Sequence, residues 1–231
     1  MLGRIQTDEL QYLAVKLMIM KYGLFITLEG GEGSGKSTQA RYLTQRLKRR
    51  HIPAISIREP GSTPLGNRLR RLLKYSEIAL AYEAELLLFN ASRLQLVSDV
   101  IRPALRRGEV VICDRFADST LAYQGYGRGL SLEIVEQINE VGTQNVLPDL
   151  TILLDVAPEK GLQRHEVSND RYESGHRLDD IMDFHRRVRD GYLSLSLEQP
   201  ERWLKIDGTL PATEVSKIIW RRVNDLLSGN S

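Results

Sequence analysis

The chain has only one cysteine, Cys113, so no internal disulfide can form and a reducing compartment, the cytoplasm, is the expected setting. It has no run of 18 apolar residues, which leaves nothing to expect as a membrane span. It has almost no charge excess. Its 32 basic residues against 30 acidic ones give a net charge of +2, which suits small anionic ligands but gives no reason to expect nucleic acid as a partner. Internal repeats, low-complexity tracts and interdomain linkers are also missing. At 231 residues, one domain with an appended segment is expected.

The appended segment is the N-terminus. Leu13 to Met20 is mostly apolar, but Lys16 interrupts it and Asp8 and Glu9 precede it. A secretory signal needs a basic start, a clean apolar core and a small-residue cleavage site, and none of these is present. Residues 1–22 are therefore read as a tail, or as the product of an upstream start with Met18 or Met20 as the alternative first residue. An amphipathic docking helix is the other reading.

What is present from residue 23 onward is an alternation of short apolar runs and longer helical patterns, the signature of an α/β fold with a parallel sheet. Strands are expected at 24–28, 52–57, 110–113, 150–154 and 203–206. Helices are expected at 36–50, from Pro64, at 82–105, 117–123, 131–141, 180–197 and 212–227. Ser131 is expected to cap its helix, with Ile134, Val135 and Ile138 on one face. Gly125, Gly127 and Gly129 are read as a loop, and the polar stretch 165–178 as a surface loop. The basic runs 46–50 and 186–187 are read as solvated helix faces.

The first strand runs into Gly30-Gly31-Glu32-Gly33-Ser34-Gly35-Lys36-Ser37, a complete G-x-x-x-x-G-K-[ST] between strand and helix. Glycines let successive backbone N–H groups curl around phosphate oxygens, and the helix start adds a favourable dipole. Lys36 is expected on the β- and γ-phosphates of ATP and the Ser37 hydroxyl on Mg²⁺, with Thr38 completing the loop. A GTPase switch would need D-x-x-G and N-K-x-D, and neither pattern occurs.

A nucleotide loop does not name an acceptor. Asp114-Arg115 closes the third strand, at the sheet edge where ligands of such folds bind. Asp114 there can hold Mg²⁺ through water and Arg115 can meet phosphate, although a structural ion pair would give the same two residues. Arg115, Ser119 and Tyr123 follow at four-residue spacing on one helix face, beside Thr120 and Gln124. Together they offer hydroxyls, an amide and a ring to a polar heterocycle; a plain amphipathic helix is the alternative. Phe89 and Arg93 form a second i, i+4 pair, suited to a base and a phosphate, or to core packing after Leu86-Leu87-Leu88. Arg58, in Arg58-Glu59-Pro60-Gly61, is a further phosphate candidate or a solvated capping residue.

These segments resemble bacterial thymidylate kinases from about Gly23 to Leu227. The resemblance is carried by residues 25–37, by 58–66 (REPGSTPLG), by 85–93 (ELLLFNASR), by 113–125 (CDRFADSTLAYQG) and by 148–156 (PDLTILLDV). It implies a three-layer P-loop NTPase fold: a five-stranded parallel sheet, helices on both faces and a lid at about 164–178. It implies a homodimer and the reaction ATP + dTMP → ADP + dTDP. By position, it implies that Phe89 stacks on thymine and that Arg93 and Arg115 bind the acceptor phosphate. Ser119, Thr120, Tyr123 and Gln124 read the base, and Glu32 lies near the sugar. A P-loop without arginine implies a catalytic arginine in the lid. Here the sequence departs from the family: Asp170-Arg171-Tyr172-Glu173 and Phe184-His185 lie further apart than the family pattern, leaving Arg164, Arg171 and Arg177 as candidates. Phe116 stands where the family often has tyrosine, one hydroxyl less. Another P-loop kinase, or a regulatory ATP-binding module without an acceptor, are the competing functions.

Overall fold

A computed structural model describes residues 23–75, 78–164 and 178–229. Five parallel strands form one sheet in the order β2-β3-β1-β4-β5. They are β1 (Phe25–Glu29), β2 (Ala54–Arg58), β3 (Val110–Asp114), β4 (Leu150–Asp155) and β5 (Trp203–Asp207). The three central strands are buried almost throughout, whereas β2 and β5 alternate buried with exposed residues as edge strands do.

Side chains on β1 alternate between the two faces. Leu24, Ile26 and Leu28 join a core with α1 (Lys36–Arg49), and Ile219, Trp220 and Val223 join it from the C-terminal helix Ala212–Ser228. Phe25 points the other way, into a second core with Leu96, Ile101, Val111 and Phe116. On that face Thr27 and Glu29 are fully buried polar groups, and the Thr27 hydroxyl pairs with that of Thr151 at 3.0 Å. The remaining helices are α2 (Pro64–Tyr75), α3 (Tyr82–Leu96), α4 (Arg102–Arg106), α5 (Ala117–Thr120), α6 (Leu132–Thr143), α7 (Pro158–Arg164) and α8 (Leu178–Glu198), with the C-terminal helix as α9.

Four expectations need correction. The helix expected over 82–105 is interrupted: a π-helical turn, Val97–Ile101, separates α3 from α4. Pro103 follows directly at the start of α4. It lacks an N–H and crowds the preceding turn, and the wider i→i−5 turn, closed by the Arg102 N–H on the Val97 carbonyl, absorbs the mismatch. Gly125 and Gly127 are not loop residues: they lie in a second π-helical stretch, Leu121–Gly127. Their role is close packing, since a Cβ at Gly125 would lie 2.5 Å from Leu132 Cδ2 and one at Gly127 2.6 Å from Phe184 Cε2. Ser131 precedes α6 without making a capping side-chain bond. Finally, Ile134 is exposed; α6 turns Val135 and Asn139 inward instead.

Residues 1–22 and 165–177, which include the tail and most of the expected lid, lie outside the described residues. Gly127→Ala is expected to destabilise the protein by about 1–3 kcal/mol in urea unfolding, because its methyl must displace Phe184 and Val188.

Candidate functional site

The carboxyl ends of β1, β2 and β3 are level: Leu28 pairs with Asp114 and Arg58 with Asp114 in the parallel register. The loops that follow converge on one cleft of about 410 Å³. This is the crevice where strand order reverses around β1, the place an open α/β sheet offers a ligand. It is lined by Glu32 to Thr38 on one side and by Arg58, Phe89, Arg93 and Arg115 to Gln124 on the other.

On the first side, Gly30, Gly33 and Gly35 all take positive φ, which only glycine adopts freely. Gly33 packs so tightly on α7 that a Cβ there would lie 2.0 Å from the Gly161 carbonyl oxygen. Lys36 opens α1, and its ammonium folds back onto the Gly30 carbonyl (2.9 Å), the Gly31 carbonyl (2.7 Å) and Ser34 Oγ (3.1 Å). Burial, reinforced by the positive charge of Arg115, lowers its pKa to about 8. The Ser37 hydroxyl donates to Asp114 Oδ2 at 2.5 Å, joining α1 to the end of β3. Two adjacent oxygen donors of this kind would suit a hard cation such as Mg²⁺.

Arg115 stands between the two sides, with φ at +71°. Its Nη1 donates to the Gly30 carbonyl (3.1 Å), Tyr192 Oη (3.2 Å) and Ser119 Oγ (3.4 Å). Its Nη2 donates to Glu32 Oε1 (2.5 Å) and Tyr123 Oη (2.9 Å). Residues of the phosphate loop and of the opposite helix thus share one guanidinium.

Arg93 is placed differently from the sequence reading. It is 1% exposed, and all five of its N–H donors are engaged within the protein. They go to Glu59, Asn90, Asn139, the Phe116 carbonyl and Thr120. Any phosphate contact by Arg93 would have to break one of these bonds. Thr120 Oγ1 is the acceptor of one of them, at 2.8 Å. Phe89 is half-buried on the cleft wall rather than sunk in the core. Phe116 is fully buried, edge-on to Phe25 and 5.4 Å from the Arg93 guanidinium. Gln124 gives its amide nitrogen to Glu85 Oε1 at 2.7 Å. Arg58 is exposed at the cleft rim. Arg164 ends α7 at the cleft and donates to the Gly208 carbonyl at 2.9 Å. Arg171 and Arg177 lie outside the described residues.

With that geometry, the relatives are informative. A family model described as thymidylate kinase matches residues 28–219. The chain belongs to the thymidylate kinase family. The thymidylate kinase of Deinococcus radiodurans is 48% identical over 208 residues, covering 89% of this chain and 98% of that one. The thymidylate kinase of Dehalococcoides mccartyi is 48% identical over 206 residues, covering 88% and 97%. The crystal structure of thymidylate kinase from Ehrlichia chaffeensis superposes with a TM-score of 0.72 at 32% identity, covering 88% of this chain and 99% of that one.

Several residues that support the cleft lining escaped the sequence reading: Glu29, Glu59, Glu85, Asn139 and Tyr192. Each acts on a residue far away in sequence. The one readable signal was a glutamate closing a wholly buried strand, Glu29. Burial, and then the nearby Asp118, push its carboxyl up from 4.5 to about 7. A raised carboxyl favours the folded state while protonated. That contribution is complete below about 4.5 and is lost as pH rises through about 7. Between these limits the wild type is expected to lose roughly 3 kcal/mol relative to Glu29→Gln, read by urea unfolding in steps from pH 4.5 to 8.5. Parallel stability curves for the two proteins would contradict the burial argument.

Proposed function

We propose a division of labour within this cleft for the family's reaction, the transfer of a phosphoryl group from ATP to dTMP to give dTDP. The observation that carries the reading is the shared guanidinium of Arg115, which bonds the phosphate loop through Gly30 and Glu32 and the opposite helix through Ser119 and Tyr123.

On the donor side, the backbone from Gly30 to Thr38 holds the ATP phosphates, and Lys36 exchanges loop carbonyls for the β- and γ-oxygens. Ser37 and Asp114 would hold Mg²⁺, which would supply charge neutralisation to the ATP phosphates. On the acceptor side, Arg115 meets the monophosphate, with Arg58 reaching in from the rim. Phe89 lies against the base. Arg93 is the wall beneath it, holding Thr120 in place, and Tyr123 flanks Arg115 with its ring 4.8 Å from the guanidinium. Glu32 holds Arg115 from the phosphate loop, near the acceptor sugar.

Gln124 supports a thymine-type base. One of its N–H donors is held by the Glu85 carboxylate, which fixes the orientation of the amide and leaves its oxygen as an acceptor for a ligand. A pyrimidine-2,4-dione offers an N3–H donor to that oxygen, whereas cytosine offers an acceptor at the same place. A hydrogen-bonding site rejects such a mismatch strongly.

The transfer needs in-line placement and charge neutralisation more than covalent help. The attacking oxygen belongs to a phosphate already ionised near neutral pH, so no strong base is required. An arginine from the lid stem or beyond completes the neutralisation: Arg164, Arg171 or Arg177. Turnover with dTMP, dUMP, UMP, CMP, AMP and GMP tests the whole reading. We expect dTMP to exceed CMP by at least about 10³ in kcat/KM. At least one of Arg164→Ala, Arg171→Ala and Arg177→Ala should lower kcat by about 10² or more. Equal use of CMP would overturn the Gln124 assignment, and three active variants would overturn the arginine assignment.

The homodimer is supported by apolar side chains left exposed on adjoining helices: Leu87 on α3, Ile134 and Val141 on α6, and Leu147 beyond it. Light scattering should return twice the 26.3 kDa chain mass, and Val141→Glu should shift it toward one.

A further inference from the structure

Glu29 is the last residue of β1 and directly precedes the phosphate loop. It is wholly buried, and among the described residues no cation forms a direct ion pair with it. Three donors converge on its carboxylate: the Phe116 N–H on Oε1 at 2.8 Å, and on Oε2 the Ser119 hydroxyl at 2.5 Å and the Tyr192 hydroxyl at 3.0 Å. The two hydroxyl oxygens lie 2.8 Å from each other, and both accept from Arg115 Nη1.

This arrangement has a direction. A carboxylate only accepts. It therefore draws both hydroxyl hydrogens toward itself and leaves their lone pairs facing the guanidinium. An amide at position 29 cannot do the same. Its single oxygen can serve the Phe116 N–H, but its NH₂ then faces the hydroxyls and turns their hydrogens toward Arg115, donor against donor.

We propose that Glu29 is a positioning residue for phosphoryl transfer, setting the polarity of the Ser119–Tyr192 hydroxyl pair that holds Arg115 in place for the acceptor phosphate. The inference rests on the reading that Arg115 binds that phosphate. It gives Ser119 a different part from the one its helix position suggested: its hydroxyl hydrogen is spent on Glu29, and it acts on the ligand through Arg115. It also ties the arginine to α8, since Tyr192 belongs to the helix that follows the lid segment.

The alternative is that Glu29 merely fastens α5 and α8 to the sheet. Steady-state kinetics at pH 8, where a carboxyl with a pKa of about 7 is ionised, separate the two. Glu29→Gln, Arg115→Ala and the double variant are compared, with thermal unfolding as the folding control. We expect Glu29→Gln to raise KM for dTMP about tenfold, with KM for ATP within about twofold. In the Arg115→Ala background the same change should add almost nothing, because its effect runs through the arginine. Tyr192→Phe removes one of the two hydroxyl links, and with it one hydrogen bond to the carboxylate, while keeping Glu29 itself in place. It should raise KM for dTMP by a smaller factor, and it serves the test if Glu29→Gln does not fold. An unchanged KM for dTMP in a folded Glu29→Gln, or in Tyr192→Phe where that variant stands in, would overturn the proposal. So would an effect fully retained without Arg115, or an equal rise in both KM values. If Arg115→Ala itself leaves KM for dTMP at the wild-type value, it is the phosphate reading that fails. If Arg115→Ala raises it and Glu29→Gln does not, only the Glu29 inference fails.

Discussion

The hydrogen bonds of one guanidinium organise this cleft. Arg115 is a charge held in a mostly buried wall, and a charge in that position must be met by acceptors or it destabilises the fold. Meeting it recruits a backbone carbonyl from the phosphate loop, a carboxylate two residues further on, and hydroxyls from the helical stretch after β3 and from α8. The demand explains why so many polar groups gather behind the carboxyl ends of β1 and β3. It also explains the left-handed backbone at Arg115, which lets β3 end and the side chain turn back across β1.

Arg93 answers the same demand in another way. Its five bonds are all made within the protein, and Glu59 supplies the opposite charge at 2.8 Å. A pair this deep gives little net stability, but removing one partner strands the other and costs about 3–5 kcal/mol. The two arginines, read from sequence as equivalent phosphate ligands, have thus separated. One is coupled to the glycine-rich loop after β1, and the other is locked into the opposite wall of the cleft.

The fold was largely legible because its signals are local. Apolar runs of strand length, punctuated by glycine and proline, located all five strands to within about two residues. The phosphate loop was legible because its residue types are dictated by close backbone approach. What was not legible depended on partners distant in sequence. Gly125 and Gly127 look like turn residues until Leu132 and Phe184 are seen pressing on them. Arg93 shares a helix face with Phe89, and nothing local shows that Glu59, 34 positions earlier, and Asn139, 46 positions later, take its hydrogens. Glu29 and Tyr192 are 163 positions apart, and nothing in either local stretch hints that they share a hydrogen bond.

The contact between the phosphate loop and α7 carries a consequence of its own. A Cβ on Gly33 would strike the Gly161 carbonyl, and one on Gly161 would lie 2.4 Å from the Glu32 carbonyl oxygen. The two backbones rest on each other with no side chain between them, like two bare rails. A shift of the loop at Gly33 therefore meets the backbone of α7 directly, without a flexible side chain to absorb it. Loop and helix are in direct backbone contact there, and the two residues at that contact are constrained to be the smallest available.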